Sequence, residues 1–429
     1  MEAMTNHYVG KLSLVFGLTW GLAGLDRLMV GYAAPGFMHE LGLNFTQLGL
    51  IITVSGIGVA IGAWIIGPLS EYYGRRKGSV WANLCEHAFS GFTALVQTFG
   101  QMFFLRGLMG FFFGSLYGPS FAAISEESPP EKRGLWMGLT QSFFPLLGMA
   151  IGPIVAGYLL TSVGWRYGFV LIALPGVILV LWMARFMREP PSVAENIRVR
   201  EETGKKVLLH GDQEFKIWHV FKYRNIILMT IVAIFTMAYL WVLFTFVPSL
   251  CCEVHKMTPV QAGYVMSGGG LLCFILQIVA PLVSDRVGRK PMLLILFGLG
   301  TLGGLLFATA PVGTSGALLA AYFALFCAGL SSYPLYLVIV PTESVPFTIA
   351  ATAVAVPQGL GEIIGATVFP ALGGRIADVY GLGATMWVVV ACSAVAFVGC
   401  ALAKETAPRV LIKRGETPVN LMAAQSSHR

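Results

Sequence analysis

The chain has 429 residues, 56% of them apolar and only 11% charged, with a mean hydropathy of +0.74. A water-soluble fold of this size cannot hide so much apolar surface, so composition excludes a soluble enzyme or scaffold and points to a lipid-embedded chain. The net charge of +7 would suit a nucleic-acid ligand, but the basic residues are placed as a topology signal and imply no such partner.

Twelve apolar runs of about 20 residues, the length that crosses a hydrocarbon core, are predicted as helices: 10–34, 46–69, 77–97, 99–122, 134–160, 167–188, 224–248, 260–283, 290–310, 315–340, 346–371 and 381–403. The first is too long for a signal-peptide core and lacks a small-residue cleavage site, so it reads as the first span. Residues 1–188 form one six-helix unit, 189–223 a polar linker, 224–403 a second six-helix unit and 404–429 a tail. A short amphipathic surface helix is expected near Phe215-Lys216-Ile217-Trp218, and the tail from Lys404 is expected to be mobile. Arg166, Lys256 and Arg375 fall on one side, Arg27 and Arg106 lie within spans, and the remaining Lys and Arg fall on the side of the termini. That asymmetry puts both termini in the cytoplasm of a cell whose cytoplasmic (inner) membrane the chain crosses. The seven cysteines form no disulfide framework, and no metal-spaced Cys/His set or phosphate-cradling loop occurs, so no cofactor or metal is expected.

The two units are copies. Ser70-Glu71-Tyr72-Tyr73-Gly74-Arg75-Arg76 returns 214 positions later as Ser284-Asp285-Arg286-Val287-Gly288-Arg289-Lys290, and Gly157 with Gly164 returns as Gly374 with Gly381. A repeat this long is a duplicated membrane half, so the expected fold is all-α and polytopic, two pseudo-symmetric bundles facing each other. Small residues such as Gly110, Gly114, Gly148 and Gly152 allow close helix approach, and Pro119, Pro145, Pro153, Pro334 and Pro357 are placed to bend or break their helices.

Charges inside spans mark candidate sites, because each costs roughly 2.5–3.5 kcal/mol to insert. Asp26 and Arg27 are adjacent and point about 100° apart, so each needs its own partner. By helical rise Asp26 and Arg106 lie about 12 and 10 Å from the outer ends of their spans, and share a depth. Glu362 lies about 13 Å from the outer end of span 11, where a carboxyl can take a proton from one face and release it to the other, with a structural hydrogen-bonding role as the alternative. Glu86-His87 in span 3 reads as helix packing, with a proton relay as the alternative.

Gly67-Pro68-Leu69-Ser70-Glu71 through Lys77 resembles the loop 2–3 signature of the major facilitator superfamily, with Glu71 where Asp is usual. That resemblance implies alternating access, with Glu71, Gly74, Arg75, Asp285, Gly288 and Arg289 gating the inner side. It also implies that spans 1 and 4 line a central cavity where Asp26 and Arg106 can meet, either handling substrate and proton or bracing the first bundle. Asp26-Arg27 with Ala33-Ala34-Pro35 resembles the anion:cation symporter family, whose pattern often carries an acid where Phe113 stands. Arg106-Gly107-Leu108-Met109-Gly110 is similar to the aromatic acid:proton symporter family. Both families carry organic anions, so the implied function is proton-coupled symport of a small organic acid, aliphatic or aromatic, by a monomer and without enzymatic chemistry. Arg27 and Arg106 then hold the carboxylate, Asp26 and Glu362 carry protons, and Tyr239, Tyr333, Tyr336 and Gln358 complete the pocket. Trp241, Phe244, Gln141, Ser142, Ser331 and Ser332 are further candidates. Gly148 to Pro153 resembles a span-5 signature of proton-driven efflux, which keeps drug or metabolite export as the alternative.

Overall fold

The computed structural model describes residues 2–128, 133–190, 193–194, 197–198, 217–345 and 350–416. In chain order the helices are α1 (Glu2–Leu41), α2 (Phe45–Tyr73), α3 (Arg75–Phe92), α4 (Phe99–Glu127), α5 (Arg133–Phe143, Phe144–Ile151 and Gly152–Ser162 end to end) and α6 (Gly164–Phe186). The second half repeats them as α7 (Arg224–Glu253), α8 (Pro259–Val287), α9 (Arg289–Ala308), α10 (Gly316–Glu343), α11 (Ala350–Leu360, Gly361–Gly365 and Ala366–Tyr380 end to end) and α12 (Leu382–Leu402). The molecule is an all-helical membrane protein. Among the described residues, eleven helices are long and apolar enough to cross a bilayer.

The helix left out is α3, and its composition explains why. Its buried face is polar, carrying Ser79, Asn83, Glu86, His87 and Ser90, while Trp81 and Phe92 are exposed. It is inverted relative to a soluble amphipathic helix, with polar groups in the bundle and apolar ones outside. The expected span 77–97 therefore ends early, at Phe92, followed by a short turn Thr93–Leu95.

The duplicated glycines end and start helices. Gly74 and Gly288 have φ of +112° and +115°, and Gly164 and Gly381 have +82° and +84°, a region closed to most side chains. Asn44 with Gln47 and Thr258 with Gln261 form matching capping boxes at the starts of α2 and α8. Wide π turns interrupt α5 at Phe144–Ile151, α10 at Leu335–Ile339 and α11 at Gly361–Gly365. Pro145 lies in the first and Pro334 just before the second, where a missing N–H breaks the regular ladder.

The bundles meet through α1 on α7, α2 on α11 and α5 on α8. Backbones touch where glycine allows it. A Cβ on Gly31 would overlap the Phe244 carbonyl, one on Gly270 the Met149 carbonyl, and one on Gly374 the Phe45 carbonyl. These approaches lie in the half of the helices remote from the termini, which is sealed. Asp378 at the end of α11 reinforces the seal by accepting from the backbone N–H of Phe45 (2.9 Å) and Thr46 (2.8 Å) and from the Thr46 hydroxyl (2.5 Å). A carboxylate on a helix N-terminus contributes about 0.3–2 kcal/mol. Asp378→Ala is therefore expected to raise the population open on that side by about tenfold, read as faster labelling of a cysteine placed at Gln141 by an impermeant thiol reagent.

The described part of the tail, residues 404–416, departs from expectation, and residues 417–429 lie outside the described residues. Glu405 and Thr406 bond to neighbouring helices, Pro408–Lys413 is a short helix on α8, and Leu411 is buried. Of the expected surface helix, Phe215 and Lys216 lie outside the described residues, and Ile217–Lys222 is a short 3-10 helix.

Candidate functional site

Between the bundles lies a partly open cavity, with about 1120 Å3 of empty space when its open mouth is included. Arg27 and Glu362 are the charged residues on its wall among the described residues. They come from opposite bundles, and Nη2 of Arg27 donates to Oε2 of Glu362 at 3.1 Å. The guanidinium carbon stands 3.9 Å from the ring centre of Trp241 and 5.0 Å from that of Phe113, so the cation is sandwiched between aromatic faces. Phe113 is stacked on Trp20, with ring centres 5.1 Å apart. At Phe113, where the pattern of the anion:cation symporters often carries an acid, an aromatic ring faces Arg27, and the carboxylate arrives from the other bundle. The π turn of α11 holds that carboxylate, because Glu362 lies within it.

Tyr333, Tyr336 and Gln358 also line the cavity, and the Tyr333 hydroxyl donates to Oε1 of Gln358 at 2.9 Å. Gln141, Thr236, Trp241 and Gln277 add polar atoms to a wall that is otherwise apolar. Oε1 of Gln141 and Nε1 of Trp241 have no hydrogen-bond partner among the described residues. Such orphaned groups on a cavity wall are available to a ligand.

Seven of the expected residues are elsewhere. Arg106 and Asp26 are fully buried and do not reach the cavity wall. Nη1 of Arg106 donates to Asp26 at 3.0 Å, Nη2 reaches its other oxygen at 3.4 Å, and Ser90 also donates to Asp26. The guanidinium covers the ring of Phe169 at 4.5 Å. Adjacent residues on α1 thus serve different places, Arg27 the cavity and Asp26 the interior of its bundle. Tyr239 is buried against Phe326, ring centres 4.9 Å apart, and its hydroxyl donates to the Phe326 carbonyl. Ser142, Ser331 and Ser332 donate to backbone carbonyls of their own helices, and Phe244 packs into the seal against Tyr32.

The duplicated loops form matched clasps, each inside its own bundle. Arg75 donates to Glu126 at 2.7 Å, and Arg289 to Glu343 at 2.9 Å, with Asp285 a further 2.6 Å partner of Arg289. The Glu189 carboxylate accepts from the backbone N–H of Arg75 (2.5 Å) and Arg76 (3.1 Å), and Glu405 accepts from those of Arg289 (2.8 Å) and Lys290 (3.2 Å). A Cβ on Gly74 or Gly288 would press on Glu189 or Glu405, so glycine lets the acid reach the helix start. The Glu71 side chain lies outside the described residues. Sequence reading missed Glu126, Glu189, Glu343 and Glu405, although their offsets of 217 and 216 match the repeat. Partial burial pushes the Glu189 carboxyl above the usual range, against the pull of the two N–H groups. The clasp charge is therefore lost at a less acidic pH than for an ordinary glutamate. Glu189→Gln with Glu405→Gln is expected to slow exchange of bound for free substrate by up to about tenfold with little change in affinity, as the clasps brace helices outside the pocket.

Comparison with known proteins agrees with this architecture. A hexuronate transporter of Bacillus subtilis (strain 168) is 31% identical over 274 residues, and the match spans 62% of each chain. A probable 4-methylmuconolactone transporter of Cupriavidus pinatubonensis is 26% identical over 355 residues, 81% of this chain and 79% of the relative. The crystal structure of a D-xylose–proton symporter superposes with a TM-score of 0.74 at 19% identity, over 93% of this chain and 99% of that one, which shows the fold alone. Residues 16–358 match the family described as Major Facilitator Superfamily. Two repeated six-helix bundles around a central cavity, with most of the chain in that match, make this protein a secondary transporter belonging to the major facilitator superfamily.

Proposed function

We propose that the chain takes up a small organic acid together with a proton, crossing the inner membrane with both termini in the cytoplasm. The observation that carries this reading is the Arg27–Glu362 ion pair spanning the cavity. One cation on an apolar wall can be balanced by one carboxylate, either Glu362 or the substrate. When Glu362 takes a proton, Arg27 is released and offers a planar pair of N–H donors to the incoming acid. Proton and substrate then bind together, because each favours the state the other needs. After release the pair re-forms, and the bundles can return without cargo. A monoanion with this one proton is electroneutral, so this step draws on the pH gradient. The aromatic residues around Arg27 suit the body of the acid, and Gln141, Gln277, Tyr333 and Gln358 suit its polar substituents.

Of the relatives named above, one is a hexuronate transporter and one a probable lactone transporter, which supports the substrate class without fixing it. Purified protein in proteoliposomes should accumulate labelled benzoate, galacturonate or lactate above the level of protein-free vesicles when the outside is made acidic. Accumulation of none of them, with outward movement of a hydrophobic cation instead, would move the assignment to efflux.

A further inference from the structure

Behind the cavity wall the N-terminal bundle encloses a second group of ionisable side chains. Glu86 and His87 on α3 are wholly buried, with Nδ1 of His87 2.9 Å from Oε2 of Glu86. Neither the carboxylate nor the ring has another polar partner among the described residues. One turn further along α3, Ser90 donates to Asp26 of α1, which pairs with Arg106 of α4. Asp26 and Arg106 both act electrostatically on Glu86, and Asp26 on His87.

Among the described residues no other charge is close enough to balance this group, and on α3 itself the nearest, Lys77, stands nine residues before Glu86, roughly 13 Å. From α6 the His87 ring meets Gly176, and the ionisable residues of α6 (Arg166, Tyr167, Arg185) stand at least nine residues away, roughly 13 Å. On α4 the remaining acids, Glu126 and Glu127, are more than five turns from Arg106, roughly 30 Å. On α1, Arg27 points into the cavity and Lys11 lies fifteen residues before Asp26, roughly 22 Å. Cys85 is the neighbouring thiol on α3 itself.

Charge balance follows from this census. Asp26 and Arg106 cancel, so Glu86 and His87 are neutral together only when they share one proton. A bare carboxylate in such a place is strongly disfavoured. Both oxygens of Asp26 already receive donors, which leaves Glu86 and His87 as the acceptors for a proton arriving in this bundle. Resting on the proton-coupled reading of the cavity, we propose that the Glu86–His87 pair is a second proton-binding site, loaded and emptied once in each transport cycle. In the loaded state the proton lies between Oε2 and Nδ1. On release the proton leaves the bundle, and the negative charge that remains acts on the Asp26–Arg106 pair, which adjoins Arg27. With the proton on Glu362, two protons then accompany one monoanion, and uptake carries one net positive charge.

The test compares wild type with Glu86→Gln/His87→Asn, which removes both partners and leaves no unpaired charge. Proteoliposomes are given labelled benzoate or galacturonate, whichever the wild type accumulates in a pH gradient, and then an inside-negative potential. Wild type should accumulate about tenfold more for each 59 mV, whereas the double variant should respond to the pH gradient and ignore the potential. A wild type that ignores the potential, or a variant that responds as wild type does, overturns the second site. A wild type that accumulates neither acid overturns the proton-coupled reading itself. If the variant fails to exchange substrate at all, a chain in which His87 is the sole histidine decides the matter by 15N NMR. The ring should switch between imidazolium and imidazole within about pH 5–9, with a midpoint that moves on Asp26→Asn, and a single fixed state across that range overturns the site.

Discussion

Arg27→Ala is expected to lower the transport efficiency for a carboxylate by about 100-fold or more. The guanidinium supplies the positive charge on the described cavity wall, and it is desolvated between two rings. Removing one member of a buried, hydrogen-bonded charge pair costs about 2–5 kcal/mol, and each 1.4 kcal/mol is a factor of ten. Part of that loss in the single variant comes from Glu362 left alone, so Arg27→Ala/Glu362→Gln is the necessary companion. If Arg27 touches the acid, the double variant folds normally and still fails to bind it. Glu362→Gln alone should behave differently. Its Arg27 is permanently free, so substrate affinity should persist and lose its dependence on pH, and the pH gradient should no longer drive accumulation through this site. Equal affinity for the acid in wild type and Arg27→Ala/Glu362→Gln, measured by direct binding in detergent, would remove the carboxylate assignment.

Much of this arrangement was legible in the residues alone. Hydropathy sets the spans, since a backbone in lipid has few alternatives to helix, and the repeat set the two bundles and the glycine turns at Gly74, Gly164, Gly288 and Gly381. Misses came where a property belongs to three dimensions. The depth of Asp26 and Arg106 follows from helical rise, but which of Asp26 and Arg27 faces the cavity depends on how α1 is rotated, and rotation is set by the packing of α3, α4 and α7. The Arg27–Glu362 pair joins residues 335 positions apart, beyond the reach of spacing. Tyr239 and Tyr336 are both wholly buried aromatics of the second bundle, and pattern cannot say that one is packed on Phe326 while the other meets the cavity. The clasp acids were missed for a simpler reason. Each sits at a helix end where an acid looks like a solvated surface charge, and only comparison at the repeat offset singles it out.

Arg106→Leu is the variant with the largest expected effect on stability. It leaves Asp26 with the Ser90 hydroxyl as its remaining donor, in a bundle interior with no measurable exposure. Breaking a buried pair from one side costs about 3–5 kcal/mol, whereas replacing both partners is often close to neutral. Asp26→Asn/Arg106→Leu should therefore regain most of the thermal stability lost in Arg106→Leu, as measured by unfolding in detergent. The same pair of variants assigns the role of Arg106. A residue that braces α1, α3 and α4 can be replaced together with its partner and leave affinity for the acid within a few fold of wild type. A residue that grips the substrate cannot. Its double variant would be stable yet bind about 100-fold more weakly, and that outcome would place a second arginine on the cargo and require α4 to turn toward the cavity during transport. The geometry favours the brace: Arg106 has its guanidinium committed to Asp26 and Phe169, and the free edge of the cavity belongs to Arg27.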